Sequence, residues 1–198
     1  VSNFEANQNY KDIQDPSIWI KFELKEMPNT HLIAWTTTPW TLPSNLALAV
    51  GEEITYIVIK DHESQQQWII AKGCLHSFYE DKLKTLPHED VYNIVQEISG
   101  SKLVGNTYKP LFPYFKDQPN AFKVIAADYV TTSDGTGIVH QAPAYGEDDF
   151  YTCKKANISI VDPIDEQGNF TNEIEELSGS YFKDADKLIC KLLKQKDS

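Results

Sequence analysis

The sequence predicts a single α+β domain built on a curved, barrel-like mixed β-sheet with peripheral helices. Between residues 18 and 71, short β-rich runs follow one another, bounded by Pro, Gly and charged turns. An amphipathic helical pattern closes the chain. No internal repeat or low-complexity linker divides its 198 residues, so residues 1–198 read as one domain.

The elements follow in order. "IWIKFEL" (18–24) alternates apolar and polar residues, as a half-buried strand does. "HLIAWTTT" (31–38) is a β-rich run that Pro39 stops. "LALAV" (46–50), "TYIVIK" (55–60) and "QWIIA" (67–71) are further strands, with "KDHESQQ" as a charged hairpin loop between the last two. Residues 78–86 read as a short helix. "KVIAADYVTT" (123–132) and "GIVHQA" (137–142) flank "SDGTG" and read as a hairpin. In the last helix Ala185, Leu188, Ile189, Leu192 and Leu193 share one face, with Lys187, Lys191 and Lys194 outside it.

Composition excludes several classes. Hydrophobic residues make up 41% and aromatics 12%, enough for a core and too many for disorder. No apolar run approaches a membrane span, so no membrane partner is expected. The N-terminal "VSNFEANQNYKD" is polar and acidic, unlike a signal or transit peptide, and its lack of Met suggests an excised fragment. Cys74, Cys153 and Cys190 have no metal-ligand or disulfide spacing, as expected of reduced thiols in a cytoplasmic protein. The Asn157 and Asn169 glycosylation-type triplets then read as chance matches. A net charge of −11 argues against tight nucleic-acid binding through the general surface field. It leaves room for a domain that receives one nucleic-acid end while another domain holds the rest.

Two stretches carry chemistry. In "AWTTTPWTLPSNLALAV" (34–50), strand alternation puts Leu32, Ala34, Thr36 and Thr38 on one face and Ile33, Trp35 and Thr37 on the other. Thr36 and Thr38 then point into one space. Pro39 and Pro43 stiffen the loop, and Asn45 can face the same space from the next strand. Thr is also an ordinary strand residue, and Asn an ordinary turn residue. In "GTGIVHQAPAYGEDDF" (135–150), Gly135 and Gly137 permit a tight turn or close approach. His140 lies on a strand with Ile138, and Glu147, Asp148 and Asp149 sit at a helix start, where one acid is expected merely to cap. A lone strand His is more often structural than catalytic.

Taken together, these stretches resemble the inserted (CP1) editing domain of isoleucyl-tRNA synthetase. The resemblance extends through "YKDIQDPSIWIKFEL", "VDPIDEQGNFT" and "LSGSYFKDADKLI", nearly the whole chain. "TTTPWTLPSN" is the isoleucine form. The valine and leucine enzymes usually carry an Arg-Pro-Glu-Thr core where Pro39-Trp40-Thr41 stands here. Ser44, where bacterial forms often have Ala, leans toward a eukaryotic cytosolic type. The family's two nucleotide-binding signatures are absent, so the resemblance implies an editing fragment without the ATP-binding core, unable to activate isoleucine.

The implied activity is hydrolysis of the ester in mischarged valyl-tRNA(Ile), with some hydrolysis of valyl-adenylate. A pocket for isoleucine rejects valine by only about 1–3 kcal/mol, the known magnitude for enzymes of this kind, so a second, smaller site must remove the error. No metal or organic cofactor is expected. The implied partners are the 3′ end of the tRNA, the valine moiety and the rest of the synthetase, with the fragment itself monomeric.

By the resemblance, Asp149 binds the substrate α-ammonium, and Asp148 is the likelier cap. Thr37 and Thr38 line the reacting centre, where their hydroxyls bind the ester, the ribose or the attacking water. Thr36 and Asn45 add contacts, His140 walls the side-chain pocket against isoleucine, and Trp40 and Thr41 serve as pocket wall or adenine contact. Three alternatives remain open. One is the editing domain of a related valine or leucine synthetase. Another is a hydrolase with Ser44 or Thr38 as nucleophile, acting with His140 and Asp149. The last is a docking module without catalysis.

Overall fold

The computed structural model describes residues 17–195. The polar N-terminal segment and the first part of "YKDIQDPSIWIKFEL" lie outside the described residues. Among the described residues, eight strands form two sheets. The larger has the order β1-β2-β5-β4-β6, from β1 (Ile18–Glu23), β2 (Thr30–Thr36), β4 (Thr55–Asp61), β5 (Gln67–Ala71) and β6 (Tyr92–Ser99). Its pairs are antiparallel except β2 with β5. The smaller sheet has the order β7-β3-β8, from β3 (Ala47–Val50), β7 (Lys123–Ala126) and β8 (Ile138–Gln141). The mixed α+β class holds, but the sheets do not close into a barrel.

The apolar pattern explains the layering. Along β4, Tyr56 and Val58 enter the main core between the sheets, while Ile57 and Ile59 join Ile33, Ile70, Leu75 and Tyr79 in a second cluster on the far side. "YIVI" (56–59) is apolar throughout because both faces of β4 are covered. The far side is roofed by helical turns Leu75–Phe78 and Glu80–Leu83, where the sequence suggested one helix over 78–86. The charged 60–66 loop joins β4 to β5 as expected, with buried Asp61 accepting bonds from Ser64 N–H at 2.8 Å and the Tyr79 hydroxyl at 2.7 Å.

Two expectations are corrected, and one strand had none. The runs after residue 122 do not form a hairpin. β7 and β8 lie on opposite sides of β3, parallel and antiparallel to it. β3 is buried at every position, so both of its edges need a partner, and β8 crosses over to supply the second. β6 was not anticipated. It is an edge strand with residues 93–97 exposed, so no burial periodicity marks it. In the C-terminal helix α2 (Asp186–Gln195) the buried stripe is Asp186, Ile189 and Leu193, and Leu188 is exposed. Ala185, Ile189 and Leu193 are buried and Leu192 packs on the core as expected; only Leu188 departs, while Asp186 joins the buried face with its Oδ1 accepting the Trp40 backbone N–H at 2.9 Å.

The sheets are pinned together just before β8. Thr136, buried, donates its hydroxyl to Ile33 C=O at 2.6 Å, and its own carbonyl accepts Ala71 N–H at 2.8 Å. Gly137 follows with φ of 78°, and a Cβ there would lie 2.5 Å from the Ala71 Cβ. Both the backbone conformation and the space require glycine.

Gly137→Ala should therefore lower stability by about 2–4 kcal/mol, from left-handed strain plus overpacking. Gly105→Ala is the matched control, since Gly105 also has positive φ (94°) but open space around its Cβ. It should lose only about 1–2 kcal/mol. Urea unfolding of both variants checks this, and equal losses would mean that the Ala71 contact costs nothing.

Candidate active site

The Thr run ends one strand and builds one wall of a cleft. β2 stops at Thr36, whose Oγ1 accepts the Thr38 backbone N–H at 3.0 Å. This local side-chain bond replaces a strand partner and turns the chain. Pro39 then opens a 3-10 helix, Pro39–Ser44, with its fixed φ and missing N–H suited to that first position. Thr41, one turn on, bonds back to Thr38 C=O through its N–H at 3.0 Å and its hydroxyl at 2.8 Å. The hydroxyls of Thr36, Thr38 and Thr41 stand in a row, 3.4 Å apart at each step.

β8 and the loop after it build the facing wall. The cleft, about 230 Å³, is lined by Trp35, Thr36, Thr37, Thr38, Thr41, Val139, His140, Ala142, Tyr145 and Asp149. Thr37, expected on the opposite face, lines the same cleft because β2 has already ended. Helix α1 (Glu147–Lys155) starts at the cleft edge and carries Asp149 in its first turn. The Asp149 Oδ2 accepts Ala142 N–H at 2.9 Å, joining the helix start to the end of β8. Gly146 allows this approach, since a Cβ there would sit 3.1 Å from the Asp149 carboxyl carbon. Burial pushes the Asp149 carboxyl above its ordinary value, Asp148 adds to the rise, and the Ala142 N–H opposes it. The expected cap at Asp148 is absent. The helix cap is Gly146 with no side-chain bond, and Asp148 is exposed.

Two predicted residues stand behind the cleft. Asn45 is buried and does not reach the cleft surface. Its amide nitrogen bonds Ala47 C=O at 3.0 Å and His140 Nδ1 at 2.8 Å. Trp40 packs against Tyr145 and Phe182, ring centroids 5.1 and 4.6 Å away, and so backs the Tyr145 wall. Trp35, Val139, Ala142 and Tyr145 line the cleft without having been singled out. Tyr145 and Ala142 lay within the "APAYG" loop, where only the link from strand to helix was read.

His140 is buried, and burial pushes its pKa down to about 4. Its Nε2 meets Thr41 Oγ1 at 2.9 Å. A Ser/Thr–His–Asp chain is not assembled. His140 bonds Thr41 and Asn45, Asp149 bonds a backbone N–H, and Ser44 is fully buried outside the cleft. A second surface cleft, about 440 Å³, is lined by His62, Glu63, Asp81, Lys82 and neighbours, and gathers none of the motif residues.

The fold is that of the class I tRNA synthetase editing domains. The crystal structure of GlLeuRS-CP1 matches 91% of this chain and 95% of its own, with a TM-score of 0.67 at 18% identity. The P. knowlesi cytosolic leucyl-tRNA synthetase editing domain matches 90% and 84%, with a TM-score of 0.54 at 14% identity. In sequence, the chain is similar over nearly its whole length to a segment of isoleucine–tRNA ligases. Identity is 48% over 198 residues with the Bdellovibrio bacteriovorus enzyme and 47% over 199 with that of Chlamydia trachomatis serovar A. The chain spans 18% of the length of each. No family model matches it. These relatives are bacterial, so the eukaryotic cytosolic lean drawn from Ser44 finds no support. Ser44 is fully buried, where Ser and Ala fill nearly the same space, and it marks lineage poorly.

The buried His140 has a consequence for stability. The folded state refuses a proton that the unfolded chain accepts at the ordinary value of 6.5. Its contribution is complete above about pH 6.5 and is lost as pH falls toward 4, a drop of about 3 kcal/mol across that window. His140→Gln should flatten this part of the profile in denaturation series at several pH values. Equal slopes in both proteins would remove His140 as the cause.

Proposed function

We propose that this chain is the editing domain of an isoleucine–tRNA ligase, spanning residues 1–198, and that it hydrolyses the ester of valyl-tRNA(Ile). The observation that carries this reading is the meeting, in one small cleft, of a single carboxylate with a row of threonine hydroxyls and a neutral imidazole wall. Sequence similarity to isoleucine–tRNA ligases favours isoleucine over the valine and leucine forms. The partners are the tRNA 3′ end and the rest of the synthetase, in the cytoplasm.

The chemistry follows from the residues. The α-ammonium of the aminoacyl group needs a fixed anion. Asp149 supplies one, its carboxylate held by the N–H groups of Ala142 and of Asp149 itself at the cleft surface. That contact orients the ester against the Thr37 and Thr38 hydroxyls, which position the ester, the ribose or the attacking water. Water attacks the carbonyl carbon, the ester C–O bond breaks, and the proton passes to the departing ribose oxygen. The products are valine and free tRNA. His140 limits the depth of the side-chain pocket, so isoleucine, with one more methylene, is kept out. Thr36 and Thr41 complete the polar wall, and Asn45 and Trp40 act from behind it.

Asp149→Ala should lower valyl-tRNA deacylation by about 10–150-fold, the rate equivalent of a lost charge-assisted bond of about 1.5–3 kcal/mol. Asp148→Ala makes the same charge change on the exposed neighbour and should stay near the parent rate. Timed loss of radiolabelled valine from valyl-tRNA(Ile) reads both. A dead Asp148→Ala beside an active Asp149→Ala would overturn the assignment.

His140→Ala should open the pocket and raise hydrolysis of isoleucyl-tRNA relative to valyl-tRNA by about tenfold or more, the worth of one methylene in a strict site. Paired deacylation of both substrates by the folded variant checks this. An unchanged ratio would reduce His140 to a packing residue.

A further inference from the structure

Tyr108 lies far from both motifs in sequence and is fully buried. Its ring packs edge-on against Phe22 and Phe122, and its hydroxyl donates to Asn45 Oδ1 at 2.5 Å. Neither the cleft nor the proposed reaction uses it directly. The bonds beyond it give it a role.

The amide of Asn45 has one permitted orientation. Ala47 C=O can only accept, so the group 3.0 Å from it must be the amide nitrogen. That same nitrogen is 2.8 Å from His140 Nδ1, so Nδ1 must accept and carry no proton. A neutral imidazole with a bare Nδ1 has its proton on Nε2. Nε2–H therefore donates to Thr41 Oγ1 at 2.9 Å. The Thr41 hydroxyl has already given its hydrogen to Thr38 C=O at 2.8 Å. Four donors thus point the same way, from Tyr108 through Asn45, His140 and Thr41 to the Thr38 carbonyl. Such a run is mutually polarising and has no place for a reversed member.

We propose that Tyr108 is a positioning residue of the editing site: its hydroxyl satisfies the buried Asn45 Oδ1, so that the amide, oriented by Ala47 C=O, stays seated to hold the Nε2–H tautomer of His140 and leaves the Thr41 hydroxyl able only to accept, from the Thr38 hydroxyl 3.4 Å away or from a group in the cleft. This rests on the hydrolytic reading given above. Two consequences follow. The His140–Thr41 wall offers acceptors only, which matches a donor-only ammonium and favours a water that points an O–H toward Thr41. His140 is also excluded as general base, because Nδ1 is occupied behind the cleft and Nε2 is already protonated.

The test is nitrogen NMR of selectively labelled histidine, with deacylation kinetics of the 198-residue chain. In the parent protein at pH 7, His140 should show an unprotonated Nδ1 and a protonated Nε2. The opposite tautomer would overturn the proposal from the parent spectrum alone. Tyr108→Phe keeps the ring and removes the hydroxyl. It leaves the buried Asn45 Oδ1 without its donor and loosens the amide, so His140 should lose part of its Nε2–H bias and show a mixed tautomer, with kcat for valyl-tRNA about tenfold lower and KM within about twofold, the scale of one misplaced hydrogen bond. A change of packing alone would lower thermal stability and leave the tautomer untouched. A folded Tyr108→Phe with the parent tautomer and the parent kcat overturns the role of Tyr108. A parent chain that shows the predicted tautomer yet never deacylates valyl-tRNA would instead sink the hydrolytic reading and leave the lock standing.

Discussion

The buried imidazole of His140 ties the site together. It is held from one side by Thr41, in the turn after β2, and from the other by Asn45, just before β3. Its own backbone sits on β8, paired with Leu48 of β3. The two ends of one turn therefore meet a ring that lies 99 and 95 residues further along the chain. A charged ring is disfavoured at this position, since burial drives its pKa down. Neutrality allows the ring to act as a wall and as a fixed donor together.

Against that neutral wall, Asp149 is the one carboxylate at the cleft surface among the described residues. Its burial is costly and pushes its pKa up, and two backbone N–H groups, of Ala142 and of Asp149 itself, offset part of the cost. The site thus stores a partly desolvated anion with unused acceptor capacity. A cationic group entering the cleft relieves that state more than a neutral one does. On a domain of net charge −11, that anion favours a cationic group at the cleft and offers nothing to hold a phosphate.

Most of this site was legible in the sequence because its two stretches are locally unusual. Three hydroxyls before a rigid Pro turn predicted a shared space for Thr36 and Thr38, and His140 and Asp149 were placed on a strand and at a helix start. The errors have two physical origins: a local turn bond that ends a strand early, and contacts that a residue meets across the chain. Strand alternation assigned Thr37 to the wrong side because Thr38 N–H bonds back to Thr36 and ends the strand early. Asn45 was expected at the cleft, but its amide is consumed by Ala47, His140 and Tyr108. The presumed hairpin after residue 122 failed because the turn signal in "SDGTG" is local, while the demand of buried β3 for a partner on each edge is not. Tyr108 gave no sequence signal at all, since a single aromatic in "NTYKPLF" reads as core.

The C-terminal helix shows how far the support of the site extends. Asp186 is buried and accepts the Trp40 N–H, a donor that the start of the 3-10 helix leaves without a partner inside that helix. Trp40 in turn packs on Tyr145, which lines the cleft, and on Phe182, which precedes the helix. The rigid Pro turn therefore has two faces. Its threonines make the polar wall, and its backbone and Trp40 are clamped from behind by the last helix. The amphipathic pattern at the end of the sequence is consistent with a merely peripheral helix. Asp186 lies on the same face as Ala185, Ile189 and Leu193, so one stripe both fills the core and holds the turn, and Leu188 is left at its exposed edge.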